Sequence, residues 1–253
     1  MRNFKLTIEY DGTNYAGWQV QKSCTSHVAR RTSKTIQGTL EKTLFQILQE
    51  KIRLIASGRT DAGVHALAQV ANFKTESKIA LEKLQRALNG LLPEDITISG
   101  VEEASLDFHS RFDVKSKVYR YTILNRSYRS ALLRDKVYFY PYPLNVRLMQ
   151  KEARVLLGKH DFSAFQASGN SQQSSVRTIK KIKINQNKDL VYVEIEADGF
   201  LYNMVRNIVG TLIEIGRARY QPGHILKLLK EKNRALCGPC APAKGLYLCD
   251  VRY

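Results

Sequence analysis

Apolar residues recur along this chain with two different periods, and the alternation between them limits the fold more than any other feature. Phe4, Leu6, Ile8 and Tyr10 alternate with Lys5, Thr7 and Glu9, the period of a strand with one buried face. From Thr35 the spacing changes: Ile36, Leu40, Leu44, Ile47 and Leu48 share one side of a helix, with Glu41 and Lys42 outward. Ile52 to Ala56 and Leu67 to Phe73 read as strands. Leu81, Leu84, Ala87, Leu88 and Leu91 form a second helix stopped near Gly90 and Pro93, and Ile96 to Glu102 returns as a strand. The second half has the same rhythm: strands Lys117 to Leu124 and Val137 to Tyr140, then a helix Asn145 to Leu157. Strands Ile179 to Ile184 and Leu190 to Ala197, helices Tyr202 to Ile215 and His224 to Lys232, and a last strand Gly245 to Val251 follow. The fold class is α+β: two similar modules, each a mainly antiparallel sheet with helices on one face. A chain of 253 residues suits two domains, placed at 1–106 and 107–253. No residue-level repeat relates them.

Between the second and third strands, Ser57-Gly58-Arg59-Thr60-Asp61-Ala62-Gly63-Val64-His65-Ala66 sets one carboxylate among turn-forming glycines. Function concentrates on loops held by rigid strands. Asp and Gly are also ordinary turn residues, so this segment alone supports either a catalytic or a structural reading.

Charge narrows the partner. Forty Lys and Arg against 23 Asp and Glu give +17, and the cations recur along the whole length, as on a folded face that meets a polyanion. Lys115 to Arg120, Arg126 to Arg134 and Arg177 to Lys183 interleave cations with Tyr121, Tyr128 and Ile179, offering phosphate contacts together with faces on which bases can stack. Nucleic acid is the leading partner. The N-terminus lacks the continuous apolar core of a signal peptide. No stretch approaches the ~20 apolar residues that cross a bilayer; Met204 to Ile215 is interrupted by Arg206, Asn207 and Glu214. The expectation is a soluble, cytoplasmic protein without a membrane partner. Cys24, Cys237, Cys240 and Cys249 are too few for a disulfide scaffold. Cys237-Gly-Pro-Cys240 has C-x-x-C spacing but no second ligand pair, so no metal site is expected, and Cys249 reads as a small packed residue.

Eight blocks, in order, carry a resemblance over nearly the whole chain. They are Tyr10-Asp-Gly-Thr-Asn-Tyr-Ala-Gly-Trp-Gln19, Ile36-Gln-Gly-Thr-Leu-Glu-Lys42, Gly58-Arg-Thr-Asp-Ala-Gly-Val-His65 and Phe108-His-Ser-Arg-Phe112, then Tyr119-Arg-Tyr121, His160-Asp-Phe162, Gly199-Phe-Leu-Tyr-Asn-Met-Val-Arg-Asn-Ile-Val-Gly210 and Gly245-Leu-Tyr-Leu248. The chain resembles the TruA family of tRNA pseudouridine synthases. The resemblance implies isomerisation of uridine to pseudouridine at positions 38 to 40 of the tRNA anticodon stem-loop, without cofactor or metal. It also implies a homodimer whose subunits carry a catalytic cleft between two α+β domains, the pseudouridine synthase fold. Ser23 to Ser33 is polar and without clear periodicity and is expected to be a mobile loop; the chain departs from the usual pattern at Ser23 to Thr35, longer than the usual link, and near Gly169 to Ser175.

By the same resemblance Asp61 is the catalytic carboxylate and Arg206 its ion-pair partner. Tyr119 is the active-site tyrosine that stacks on the target uracil and assists with the C5 proton. Leu246 lines the other side of the base pocket, and Arg59 helps hold the target nucleotide out of the helix. Phe108, His109, Ser110, Arg111 and Phe112 correspond to a tRNA-contacting segment, as does the loop Ala167 to Arg177, which ends in Arg177, placed for a phosphate. The residues themselves leave alternatives open. Tyr119 could be a packed strand tyrosine, and Tyr121 simple core. Arg206 could be solvated on a polar helix face, but Met204, Val205, Ile208, Val209 and Leu212 surround it with apolar residues, so it should be partly buried and need a partner. His65 and His109 are read as structural or RNA-binding rather than as bases. A binding protein without turnover would use the same charge but would not need Asp61, and an RNA methyltransferase would need a Gly-rich loop after a strand, which is not evident.

Overall fold

A computed structural model describes residues 1–20, 34–167 and 174–253. Most of Ser23 to Thr35, and Gly169 to Gln173 of the second divergent loop, lie outside the described residues. The chain divides into two compact units, Met1–Lys115 with Leu248–Tyr253, and Ser116–Tyr247.

The first unit contains β1 (Arg2–Tyr10), α1 (Ile36–Leu48), β2 (Ile55–Ala56), β3 (His65–Thr75), α2 (Leu81–Leu91) and β4 (Ile96–Ala104). β1 is central, antiparallel to β3 with Phe4 opposite Phe73, and antiparallel to β4 with Leu6 opposite Val101. Its alternation has the expected result: Phe4, Leu6 and Ile8 are fully buried, as are Ile36, Leu40 and Leu44 of α1 and Leu84 and Leu88 of α2. Burial of each such side chain stabilises by about 1.5–3 kcal/mol, which fixes the helices on the sheet. Thr35 caps α1 by accepting from the Gly38 N–H at 3.2 Å.

The strand expected at Ile52 to Ala56 is only two residues long, for a physical reason. Leu54 donates its N–H to Glu41 Oε1 at 2.9 Å, and its carbonyl accepts from Gln37 Nε2 at 3.4 Å. Side chains of α1 thus take the groups a ladder would use.

The opposite face of β1 explains the division of the chain. Asn3 and Asn72 are buried, and buried amides need partners. Asn3 Nδ2 donates to the carbonyls of Ser105 and Phe108 at 2.8 and 3.0 Å, and Asn72 Nδ2 to Asn3 Oδ1 at 2.9 Å. Ser110 N–H donates to Asn72 Oδ1 at 3.0 Å. This network moors residues 105–110 to the first unit, which runs to Lys115 rather than to the residue 106 expected from the sequence.

The second unit contains β5 (Ser116–Asn125), β6 (Tyr138–Tyr140), α3 (Val146–Ala153), β7 (Gly158–Asp161), β8 (Val176–Asn187), β9 (Leu190–Ala197), α4 (Met204–Gly216) and α5 (His224–Glu231). β10 (Leu246–Arg252) begins here and passes into the first unit, where it lies beside β3. The strand order of the second unit is β5-β9-β8-β7, antiparallel throughout, with β6 parallel to β5. Val191, Val193, Ile195 and Ala197 of β9 are fully buried, as are Ile208, Val209, Leu212 and Ile215 of α4. The helix expected from Asn145 to Leu157 is α-helical only to Ala153 and closes with a 3-10 turn, Arg154–Leu156. Both units are α+β. No helix among the described residues is long and apolar enough to cross a membrane.

Candidate active site

The Asp61 loop leaves β2 and returns in β3, and its base is fixed by hydrogen bonds. Ser57 N–H donates to the Val70 carbonyl at 2.8 Å and Ser57 Oγ to Gln69 Oε1 at 2.6 Å; Gln69 Nε2 donates to the Gly58 carbonyl at 2.9 Å. Gln69 is fully buried, so this arrangement is worth more than its exposed equivalent. Above it, Thr60 Oγ1 pairs with the Tyr10 hydroxyl at 2.7 Å, and the Thr60 carbonyl accepts from Trp18 N–H at 3.0 Å. Burial pushes the Tyr10 hydroxyl well above its ordinary range, so it remains neutral. Val64 N–H closes the turn onto the Asp61 carbonyl at 3.1 Å, with Gly63 at φ 76°.

The loop from Asp11 to Gln19 backs this turn main chain to main chain. A Cβ on Gly12 would lie 2.0 Å from the Val64 carbonyl oxygen, and one on Gly17, already at φ 95°, would lie 2.6 Å from the Thr60 carbonyl oxygen. Only glycine permits that approach. His65 is 1% exposed, with Nδ1 3.1 Å from the Gly12 nitrogen and 3.0 Å from Asp11 Oδ1, so it ties the two loops together. Asp61 emerges half-buried and Arg59 exposed.

On the same unit, Phe108 to Phe112 divides by role. Ser110 is fully buried and anchors the segment, its hydroxyl on the Ile55 carbonyl. Phe108 packs edge-on to Tyr253 at 4.9 Å. His109 stacks on Phe112 at 4.2 Å, and the exposed Arg111 lies over Phe112 at 5.7 Å. His109, Arg111 and Phe112 are the members presented outward.

The second unit holds the other candidates. Tyr119, in the middle of β5 opposite Ile195, is 8% exposed and packs edge-on against Phe200 at 5.0 Å. Tyr121 is fully buried, its hydroxyl donating to the Pro242 carbonyl at 2.7 Å and pushed far up by burial. Gly245 lies so close that a Cβ would meet the Tyr121 ring at 2.7 Å, and the chain then enters β10 at Leu246, which is buried. Arg206, in the first turn of α4, is half-buried as expected and donates from Nε to the Ala241 carbonyl at 2.6 Å and from Nη1 to Asn203 Oδ1 at 2.8 Å. Neither partner stands out in the sequence, because one is a main-chain carbonyl and the other an Asn that looks like an ordinary helix cap. Arg177 on β8 is half-buried, with Nη1 on the carbonyls of Ser174 and Val176 at 3.0 and 2.6 Å. Nearby in sequence, Lys180, Lys181 and Lys183 are exposed; in the β5–β6 connection Arg126 covers the exposed Tyr128 at 4.1 Å.

Asp61 and Arg59 thus share one loop of the first unit, while Tyr119, Arg177, Arg206 and Leu246 belong to the second. Cys237 is buried against Thr211, Sγ to Oγ1 3.2 Å, and burial pushes its thiol up. Cys249 is half-buried. No group of three or more metal-ligating side chains occurs among the described residues.

Comparison with known proteins assigns the family. A model of the family described as tRNA pseudouridine synthase matches residues 6–113 and 153–253. Asp61, Arg177, Arg206 and Leu246 lie inside those ranges, and Tyr119 lies in the intervening stretch. Full-length relatives cover that stretch too. The tRNA pseudouridine synthase A of Thermoanaerobacter sp. (strain X514) is 46% identical over 253 residues, the whole of both chains. The tRNA pseudouridine synthase A 2 of Clostridium tetani is 48% identical over 252 residues, all of this chain and 99% of its own. The tRNA pseudouridine synthase A of Acetivibrio thermocellus is 47% identical over the whole of both chains. Among solved structures, one described as an H/ACA RNP bound to a substrate RNA containing 2'-deoxyuridine aligns with 83% of this chain and 53% of its own, at 10% identity and a TM-score of 0.31. That superposition is too loose to bear on the site. The ordered blocks, the family match and the full-length relatives agree: the chain belongs to the tRNA pseudouridine synthase family, a family of isomerases.

Proposed function

We propose that this protein isomerises uridine to pseudouridine in tRNA, at positions 38 to 40 of the anticodon stem-loop, as a cytoplasmic homodimer. The reaction breaks the bond from the ribose anomeric carbon to uracil N1, turns the base, joins C5 to the same carbon and releases the C5 proton, while the freed N1 takes up a proton. It is redox-neutral overall. It asks the protein for a carboxylate near the sugar that attacks the anomeric carbon or assists departure of the base. Asp61 takes that role, with Arg206 as its cation and Tyr119 against the uracil, where it assists with the C5 proton. Leu246 closes the other side of the base. Arg59 substitutes for the stacking that the target nucleotide gives up on leaving the helix, a cost of a few kcal/mol. The first unit brings the carboxylate; the second completes the site and, with Arg177 and its neighbouring lysines, extends the surface for the anticodon arm. His109, Arg111 and Phe112 add RNA contacts from the first unit, on a segment held by Phe108 and Ser110.

The observation that carries this reading is the anchoring of the Asp61 loop. A half-buried carboxylate stands on a turn pinned by Ser57, Gln69 and Thr60 and backed by two glycines. Such preorganisation favours chemistry over simple docking. The test is release of tritium from tRNA labelled at uracil C5. The native protein should release it, whereas Asp61→Asn should release none while binding tRNA within about tenfold of native, or ~1.4 kcal/mol. Loss of binding together with activity would make Asp61 a docking or folding residue. Absence of release by the native protein, with tRNA still bound, would leave a binding protein.

A further inference from the structure

Helix α4 begins with an anomaly. Its N-cap is Asn203, a residue type that usually turns its side chain back to accept from the first free N–H groups of the helix. Here it makes no such bond, and its backbone sits in the left-handed region at φ 58°, ψ 10°. Asn tolerates that region better than most residues, but the conformation and the forgone cap both cost stability. The side chain is directed elsewhere: Oδ1 accepts from Arg206 Nη1 at 2.8 Å.

The second acceptor on the guanidinium is held in place. Arg206 Nε donates to the Ala241 carbonyl at 2.6 Å, and Ala241 N–H donates to the Arg206 carbonyl at 3.2 Å. Ala241 is 3% exposed. It follows a segment clamped on α4, where Gly238 N–H donates to Thr211 Oγ1 at 3.0 Å and a Cβ on Gly210 would meet the Pro239 carbonyl oxygen at 1.7 Å. A main-chain acceptor at Nε and a side-chain acceptor at Nη1 together set the plane of the fork. Both acceptors are neutral, so they orient the cation without cancelling its charge.

We propose that Asn203 is a positioning residue for Arg206, selected for its acceptor and not as a helix cap. The proposal rests on the reading of Arg206 as the cation that serves Asp61. Asn203→Gly removes the acceptor and keeps the left-handed backbone available, so the protein should still fold. Single-turnover tritium release at saturating tRNA should fall about tenfold or more in Asn203→Gly, with tRNA affinity within about twofold of native. In an Arg206→Gln background Asn203→Gly should cause no further loss, since there is no fork left to orient. An Asn203→Gly enzyme with native rate beside a slow Arg206→Gln would overturn the positioning role and leave the reading of Arg206 intact. An equal loss from Asn203→Gly in both backgrounds would overturn it in favour of a structural role. Native rate in Arg206→Gln would instead remove the reading on which the proposal stands.

Discussion

Gly12→Ala adds one methyl group where there is no space for it, at a point mechanically linked to Asp61. The added Cβ would stand 2.0 Å from the Val64 carbonyl oxygen and 2.7 Å from its carbon. Both are main-chain atoms, so no side chain can rotate away. Ordinary contact begins near 3.4 Å, and reaching it means separating the two loops by more than about 1 Å. Val64 transmits that movement through its 3.1 Å hydrogen bond to the Asp61 carbonyl, and the bond from Gly12 N–H to His65 Nδ1 is strained with it. Overpacking of this kind costs about 1–3 kcal/mol, which for a chain of this length lowers Tm by roughly 2–4 °C per kcal/mol. Misplacing a reacting group by ~1 Å costs up to about 100-fold in rate. Single-turnover tritium release at saturating tRNA should therefore fall by about 10- to 100-fold, with Tm lower by several degrees. Gly90→Ala is the control: a Cβ there meets nothing within 4 Å, and in helix α2 it should stabilise by about 0.5–1 kcal/mol without affecting rate. A native Tm for Gly12→Ala would refute the steric argument, and a lowered Tm with native rate would refute the mechanical link to Asp61.

Two other perturbations probe the second unit. Burial opposes the charge on Asp161, but hydrogen bonds from Ser175, Lys232 and Ser163 outweigh it and hold its carboxyl below the usual carboxylate range. A folded pKa below the unfolded value of about 3.9 means stability present above pH ~4 and lost as pH falls through the folded value. Asp161→Asn should thus lower stability at pH 7 by about 1 kcal/mol, with the gap from native narrowing below pH ~4 in urea melts; a gap unchanged at pH ~2 would refute the assignment. Arg177→Gln should weaken every substrate tRNA alike and reduce the slope of log affinity against log salt by about 0.7–0.9, one phosphate equivalent. An unchanged slope would remove Arg177 from the contact surface.

What the sequence makes legible follows from where burial leaves a period. β1, α1, α2 and β9 each bury one face or one stripe, so Phe4 to Tyr10 or Leu81 to Leu91 carry their structure in their spacing. β7 buries nothing comparable: Gly158, Lys159, His160 and Asp161 are exposed or half-buried, and pairing with β8 from Ile179 to Val176 is a main-chain event with no apolar trace. The shortened β2 fails for the converse reason, since Ile52 and Leu54 are buried as strand residues would be while side chains of α1 take the hydrogen bonds of Leu54. Polar anchoring is hardest to see. Asn3 and Asn72 look like exposed positions of their strands, yet they bind the Phe108 segment to the first unit and so shift the boundary between units.

The same distinction runs through the candidate site. Asp61 is conspicuous because a carboxylate among glycines needs a tight turn, and Gly12 and Gly17 are present because main chains meet behind it. Asn203 is inconspicuous because an Asn before an apolar helical run already has a sufficient explanation as a cap. Its side chain can serve the helix or the arginine but not both, and that choice is made by the position of Ala241, 38 residues further along the chain. A residue whose local role and long-range role call for the same amino acid cannot be assigned from spacing. The orientation of Arg206 is therefore a property of the fold of the second unit, written jointly by the start of α4 and the segment clamped against Gly210.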